Sequence, residues 1–375
     1  CRRRRGLRSA ATDKKKDTHE FWGEAINANS DFGTAEWIGS GAAERVNEYI
    51  LARRVFTVNG PIEDARLHLS ADLRYRLHVN GAYVGYGPPT DAGANITYDT
   101  YDVAPLLRQG ENVVAVEACT GIRPRGGLIA QLNLRENGET RSIPTDASWK
   151  VLLAEAWDRT AVKYASEGSG WYSEILDLRQ LSSRWKEAGF DDSEWEDARV
   201  VRDIEAGSRT LEARDIPALI ECEVFPETVI DTGEVMDCNG RRREHNVGAK
   251  MAQEFIRPLT HTEVCDAGHL LKDDDTCCVV DNHEILTADG FYGYWDRHGT
   301  YPAVRNAVVV VDFGEILNGH FLLDVEGNEG AHLDVAWSPM LFDGRVHPNM
   351  HPHKSHANRY ILDGMRTRIE SFNWH

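Results

Sequence analysis

Two kinds of side chain in this sequence could carry chemistry, carboxylates and aromatic rings. There are 60 Asp and Glu residues. Hydrolysis of a glycosidic bond needs two carboxyls facing each other across the bond, ~6.5–9.5 Å apart when the mechanism inverts. The runs Asp191-Asp192 and Asp273-Asp274-Asp275 do not make such a pair, because neighbours on a strand point to opposite faces. They read as solvated surface charge, and no catalytic residue is assigned. Aromatic rings offer a second chemistry: Trp and Tyr stack on the C–H faces of sugars while Asp, Asn and Arg take the hydroxyls. Tyr98, Asp99, Tyr101, Trp171 and Tyr172 are the candidates for a carbohydrate-binding surface, with Trp37 and Trp195 beside them. The competing use of any one ring is to fill a core.

Metal and cofactor signatures fail on spacing. Asp273, Asp275 and Glu284 can be laid on positions 1, 3 and 12 of a calcium loop, but Cys277 stands at position 5. Cys278 then replaces the glycine that makes the sharp turn. His347, His351, His353 and His356 crowd a Pro-broken loop that offers no fixed second shell. Gly85-Tyr86-Gly87 lacks the third glycine and the helix of a dinucleotide site. No metal and no cofactor is expected.

The elements that must position these groups are strands. Leu73, Tyr75, Leu77 and Val79 alternate with Arg74, Arg76 and His78, so one face is apolar and the other polar. Asn80-Gly81 follows as a type I′ hairpin turn, and Ala82 to Tyr86 returns. Asp102 caps a single helical turn, Val103 to Arg108, which Gly110 closes. Leu67 and Leu69 alternate with Arg66 and His68, Leu128 to Leu134 forms another strand, and Asn137-Gly138 a second turn. Ala307 to Val311 is a continuous apolar run, expected as a strand buried on both faces. Tyr360 to Leu362 and Met365 to Ile369 are expected to make a hairpin over Asp363-Gly364. Helical periodicity is almost absent, so the chain reads as all-β, two sandwiches in series. Residues 1–34 are expected as a basic, disordered tail, 35–212 as the first sandwich and 213–375 as the second. Ile216-Pro217 and Phe225-Pro226 punctuate the linker.

Charge narrows the partners. The total is −18, and residues 1–16 hold eight Lys or Arg against Asp13, a local +7 that leaves −25 on the rest. So acidic a body repels phosphate backbones, and nucleic acid is not expected as a partner. No apolar run approaches the ~20 residues of a membrane helix. No signal peptide opens the chain, and residue 1 is Cys. A piece of a longer reading frame is preferred over a processed lipoprotein. Seven cysteines form no CxxC pair, and bridging within 222–278 is open if the protein is exported.

Several stretches together resemble the N-terminal region of bacterial α-L-rhamnosidases of glycoside hydrolase family 78. They are AEWIGS at Ala35, ARRVFTV at Ala52, LHVNGAYVGYGP at Leu77, YDTYDVAPLLRQGENVVAVE at Tyr98 and IPTDASWKV at Ile143. ILDLRQ at Ile175 and GFDDSEWEDA at Gly189 also fit, and recur in the sugar-binding sandwich of family 2 glycosidases. The stretch VVVVDFGEILNGHFLLDVEGNEGAHLDVAWSPMLFDGRV from Val308, with RYILDG at Arg359, is similar to the family's concanavalin-like domain. The resemblance implies a jelly-roll sandwich followed by a concanavalin-like one. It also implies a parent enzyme that inverts configuration while removing terminal rhamnose from glycans. The family's catalytic acid and base sit in a following (α/α)6 barrel, which this helix-poor sequence lacks, so the chain is expected to be non-catalytic and to dock on that barrel. A secreted or periplasmic parent is favoured. A free-standing lectin-like protein is the alternative, and the sandwich of a family 2-like glycosidase a third reading.

Overall fold

The computed structural model describes residues 29–40, 46–89, 96–120, 127–161, 172–201, 211–237, 247–252, 256, 258–260, 262–273, 276–282, 294–296, 299–301, 304–342, 344–348 and 355–373. The strands of the first half are β1 (Ile38–Gly39), β2 (Tyr49–Val58), β3 (Ile62–Ala71), β4 (Arg74–Val79), β5 (Ala82–Gly87), β6 (Ile96–Asp102) and β7 (Gly110–Cys119). They continue as β8 (Leu128–Glu136), β9 (Glu139–Pro144), β10 (Lys150–Leu153), β11 (Ile175–Asp177), β12 (Glu196–Asp197), β13 (Arg199–Val200) and β14 (Leu211–Ala213). A seven-stranded sheet runs β13-β1-β8-β3-β6-β14, with β9 also paired to β8, and a six-stranded sheet runs β12-β10-β2-β7-β4-β5.

Strand β3 shows why the two sheets face each other. Ala65, Leu67, Leu69 and Ala71 are at most 1% exposed and pack on Leu77, Val79, Val116 and Trp149, whereas Arg66 and His68 face outward. Both expected hairpin turns form: Asn80 and Gly81 have φ of 51° and 82°, and Asn137 and Gly138 of 52° and 78°. Those left-handed pairs match the twist of the flanking strands. The amide of Asn80 also bonds the Leu106 carbonyl at 2.9 Å and accepts the Val113 N–H at 2.9 Å, tying the turn to β7. The turn after β6 is a short 3-10 helix, Ala104–Leu106, and the Asp102 carboxylate accepts the Ala104 N–H at 3.2 Å.

Three expectations need correction. Strand β4 does not separate two media: Arg74, Arg76 and His78 are as buried as Tyr75, Leu77 and Val79. Its second face is covered by residues 154–157 and 176–195 and by the second half of the chain, which share a core with the outer side of the six-stranded sheet. Tyr49, Leu51, Val113 and Ala115 meet Trp157, Trp185, Tyr360 and Phe372 there.

Next, Ala357–Ile361 and Thr367–Glu370 are strands but not a hairpin. Ala357–Ile361 pairs with His332–Ala336 and, in parallel, with β11, whereas Thr367–Glu370 pairs with Leu322–Val325. Gly364, at φ 83°, turns the chain while the Asp363 carboxylate accepts the Met365 N–H at 3.0 Å, so the link crosses between sheets. Asp334 and Arg359 lie directly opposite each other and form a two-pronged ion pair at 2.7 and 2.8 Å.

Finally, the apolar run near Val308 lies in strand Val304–Asp312, paired only with β15 (Thr228–Asp237) among the described residues. Of its residues 306–311 only Val310 is buried, so the run is half-covered rather than enclosed.

Strand β11 lies in the first half of the sequence and pairs with the second half of the chain. From Asn29 the chain is folded: the short helix Asn29–Phe32 seats Phe32, 4% exposed, against Tyr98 and Ile129. The basic residues at 1–16 lie outside the described residues.

The contrast between the two halves has a measurable consequence. Leu132 is 1% exposed in the first core, and Leu132→Ala is expected to cost ~2–5 kcal/mol, the usual range for a fully enclosed leucine. Leu322 is half-exposed, and Leu322→Ala is expected to cost much less. Urea unfolding of both variants checks the ordering; equal losses would contradict it.

Candidate functional site

The aromatic candidates occupy three separate places. Tyr98 and Asp99 are neighbours on β6 and point to opposite sides of the sheet. Tyr98 lies on the outer face, its ring 5.0 Å edge-on from Phe32 and 5.9 Å from His68, its hydroxyl donating to Asp31. Asp99 points inward, where its carboxylate accepts from the Tyr75 hydroxyl and from Nε of Arg214. The Tyr75 hydrogen is thereby committed, so the Tyr101 hydroxyl donates to Tyr75 across 2.9 Å. Burial, more than any neighbour, raises the Tyr75 phenol well above the ordinary range. This network explains Gly85 and Gly87. A Cβ at Gly87 would stand 2.1 Å from Asp99 Oδ2, and one at Gly85 2.6 Å from the Tyr101 ring. Tyr172, 8% exposed, sits at the junction of the two halves, and its carbonyl accepts from Asn373 at 3.3 Å. Trp171 lies outside the described residues. Trp37 is half-buried beside Phe32, and Trp195 packs against Trp185 in the second core.

Charged groups with strongly altered acidity gather where the second half covers the six-stranded sheet. The Arg76 guanidinium donates to the Ser371 carbonyl at 2.6 Å and lies over the Phe372 ring at 5.4 Å. It also stands 3.6 Å from Glu370 and 3.8 Å from Glu117. Burial works against its charge, but Glu117, Glu370 and Glu174 outweigh it and hold the proton more firmly. The Glu174 carboxyl, 2% exposed, accepts the Asn373 N–H at 2.7 Å. Burial pushes it up to about 7, while the N–H groups of Asn373 and Phe372, and then Arg76, pull the other way. Burial pushes the His78 imidazole down to about 2, with Lys186 and Arg76 adding to it. His320 falls to about 4, chiefly through burial and then Arg76, and its Nδ1 donates to the Ser371 carbonyl at 2.9 Å. Glu117 and Glu174 are 4% and 2% exposed. Glu174, held by the Asn373 N–H, ties the two halves together, while Glu117 sits enclosed beside Arg76 within the first half.

A polar surface lies on the other side of the molecule, and the aromatic pattern gave no sign of it. Register places Thr100 beside His68 and His68 beside Gln131, with Asp102, Arg66, Asn133 and Ser142 forming the next row. His68 Nδ1 is 2.9 Å from the Thr100 hydroxyl, Gln131 donates to Asn133 at 3.1 Å, and Ser142 to Asn133 at 2.8 Å. Gln131 itself is 4% exposed and lies beneath the rows, its carbonyl without a hydrogen bond within the protein. Burial lowers the His68 imidazole, Asp31 opposes this and Arg66 adds to it, which favours the neutral ring. Tyr98 and Phe32, 3% and 4% exposed, pack on each other at the edge of the rows and leave no ring face open. The exposed donors and acceptors of His68, Thr100, Arg66 and Asn133 can take the hydroxyls of a sugar. The signal in the sequence was the outward series Arg66, His68 on one strand and Gln131, Asn133 on another; only the pairing aligns them. Of the histidines at 347–356, His351 and His353 lie outside the described residues, and His356 packs 6.4 Å from the Trp337 ring. The stretch laid on a calcium loop runs as a strand from Val279 to Asn282, and Asp275 and Glu284 lie outside the described residues.

Residues 60–223 match the family model of the α-L-rhamnosidase N-terminal domain, and residues 303–375 that of the bacterial α-L-rhamnosidase concanavalin-like domain. The chain belongs to the bacterial α-L-rhamnosidase family. An α-L-rhamnosidase of Streptomyces avermitilis is 27% identical over 203 residues, 47% of this chain and 19% of that protein. One of Formosa agariphila is 26% identical over 201 residues, 44% of this chain and 20% of that protein. The chain thus spans about a fifth of the length of these relatives. Among solved structures, a family 78 rhamnosidase from a Bacillus species superposes with a TM-score of 0.63 at 18% identity, over 91% of this chain and 52% of that one. The α-L-rhamnosidase of Aspergillus terreus gives 0.56 at 18%, over 92% and 33%. At these identities the likeness is one of fold, and it is the all-β arrangement of jelly-roll and concanavalin-like sandwiches that the resemblance implied.

The junction carries a pH signature. A carboxyl raised to about 7 binds its proton more tightly folded than unfolded. Its contribution is therefore full below the ordinary Glu range of about 4.3 and is lost as pH rises through about 7. Glu174→Gln cannot ionise, so its urea midpoint relative to wild type should improve between about pH 5 and pH 8. A margin that does not change with pH would contradict the buried acid.

Proposed function

We propose that this chain is the non-catalytic, two-sandwich part of an α-L-rhamnosidase-like glycoside hydrolase. The succession of the two family domains, at residues 60–223 and 303–375, carries the reading. In this reading the whole protein removes terminal α-L-rhamnose from glycans with inversion, and the acid and base lie outside residues 1–375, in an (α/α)6 barrel. The enclosure of Glu117 and Glu174 supports it, since neither is placed to work on a substrate. The half-covered strands of the second sandwich and the exposed Ile316, Met340 and Phe342 give such a domain apolar surface to rest on.

The outer face of the seven-stranded sheet is the part of this chain that holds the non-scissile portion of the glycan. Of the aromatic candidates, Tyr98 underlies the edge of that face, buried against Phe32. Asp99 and Tyr101 support it from the inner side, through Tyr75 and Arg214. Tyr172 stands apart from that face, at the junction of the two halves.

The purified chain is expected to show no turnover of an aryl α-L-rhamnoside; hydrolysis above a heat-treated control would overturn the non-catalytic reading. Calorimetry with rhamnose-terminated oligosaccharides should show weak binding. The double change His68→Ala with Asn133→Ala should lower it roughly tenfold, the effect of about 1.4 kcal/mol of lost hydrogen bonding. Unchanged affinity would remove the outer face from the proposal. Tight binding to sugars lacking rhamnose would favour a lectin-like protein instead.

A further inference from the structure

The chain crosses from the first sandwich to the second over the open surface. Strand β14 ends at Ala213, where the Arg214 N–H donates to the Tyr98 carbonyl at 2.9 Å and its guanidinium pairs with Asp99. The next backbone anchor is the Glu227 N–H, which donates to the Asp312 carbonyl at 2.7 Å just before β15. Between them residues 217–226 belong to no helix, strand or turn. Among the described residues, no backbone group of 215–226 finds a hydrogen-bond partner. Two side chains fasten this strap: Glu221 accepts from the Tyr83 hydroxyl at 2.9 Å, and Glu223 pairs with Arg368 at 2.7 Å. Both carboxylates reach the body, the i, i+2 spacing of an extended chain, so Ile220 points away from it. Ile220 is 94% exposed and Leu219 before it 59%. An exposed, extended stretch with unpaired backbone groups is what an endoprotease takes up, because it can pair with the backbone as an added strand.

We propose that the Leu219–Ile220 bond is a processing site, cut by an endoprotease that prefers a large apolar residue, and that the two pieces persist as one body. One water molecule adds across the bond. Its hydroxyl goes to the Leu219 carbonyl carbon, the C–N bond breaks, and its proton goes to the Ile220 nitrogen. Pro217 and Pro226 protect the bonds after Ile216 and Phe225, because the ring removes the N–H that a protease would pair with. Arg214 keeps the new carboxyl end on β6, while Glu221 and Glu223 hold the new amino end. The pieces stay joined where β11 pairs in parallel with Ala357–Ile361, where Arg76 donates to the Ser371 carbonyl, and where Glu174 accepts the Asn373 N–H.

The test treats the whole chain with a low ratio of chymotrypsin until half of it is cut, then labels and maps the new amino termini. Ile220 is expected among them. The pieces on either side should elute together at the volume of the uncut chain and part in concentrated urea. Ile220→Pro, at a residue whose N–H is unpaired, should keep the circular dichroism of the wild type and slow that cut by roughly tenfold or more. Absence of an Ile220 terminus once other bonds are cut would overturn the proposal. So would pieces that separate without urea, or a proline variant cut there at the wild-type rate.

Discussion

The buried Arg76 guanidinium is the constraint on which the rest of this structure depends. A permanent charge inside a protein costs several kcal/mol unless it is paired and hydrogen-bonded. Arg76 on β4 can meet that requirement only with groups from both halves: Glu117 from its own sheet, Glu370 and the Ser371 carbonyl from the second half, and the Phe372 ring beneath it. The second half is therefore needed to cover the first, and the first to anchor the second. Glu174, next to β11, extends the same junction by accepting the Asn373 N–H while its strand pairs in parallel with Ala357–Ile361.

Much of the fold was legible in the sequence, because it rests on local rules. Period-two alternation at Leu67 and Leu69 defined an inner face, and two Asn-Gly pairs marked turns whose left-handed geometry few other residues accept. What could not be read were the partnerships between distant strands. Asp363-Gly364 has the chemistry of a hairpin turn, and nothing local tells the strands after and before it to join different sheets. Arg74, Arg76 and His78 look like a solvent face because polarity by itself does not say whether water or an ion-paired interface lies outside. Val308 to Val311 look fully enclosed, yet an apolar run records only the tendency to be covered.

The candidate site was less legible than the fold. Tyr98, Asp99 and Tyr101 were grouped by their closeness in sequence, but alternation along β6 sends Tyr98 and Asp99 to opposite sides of the sheet. Once strand register is known, function separates into two surfaces. One is the sealed, charged junction that makes a single body of two sandwiches. The other is the outward polar face of the seven-stranded sheet, built from Arg66, His68, Thr100 and Asn133, which no linear motif connects.

Native-state hydrogen exchange in increasing urea tests most directly whether the Arg76 junction makes one cooperative body. The account predicts that amides of β2 and of strand Ala357–Ile361 lose protection together, with a shared free energy and a shared urea dependence. If Ala357–Ile361 exchanges through its own opening while β2 stays protected, the second half folds without the junction and the account is contradicted.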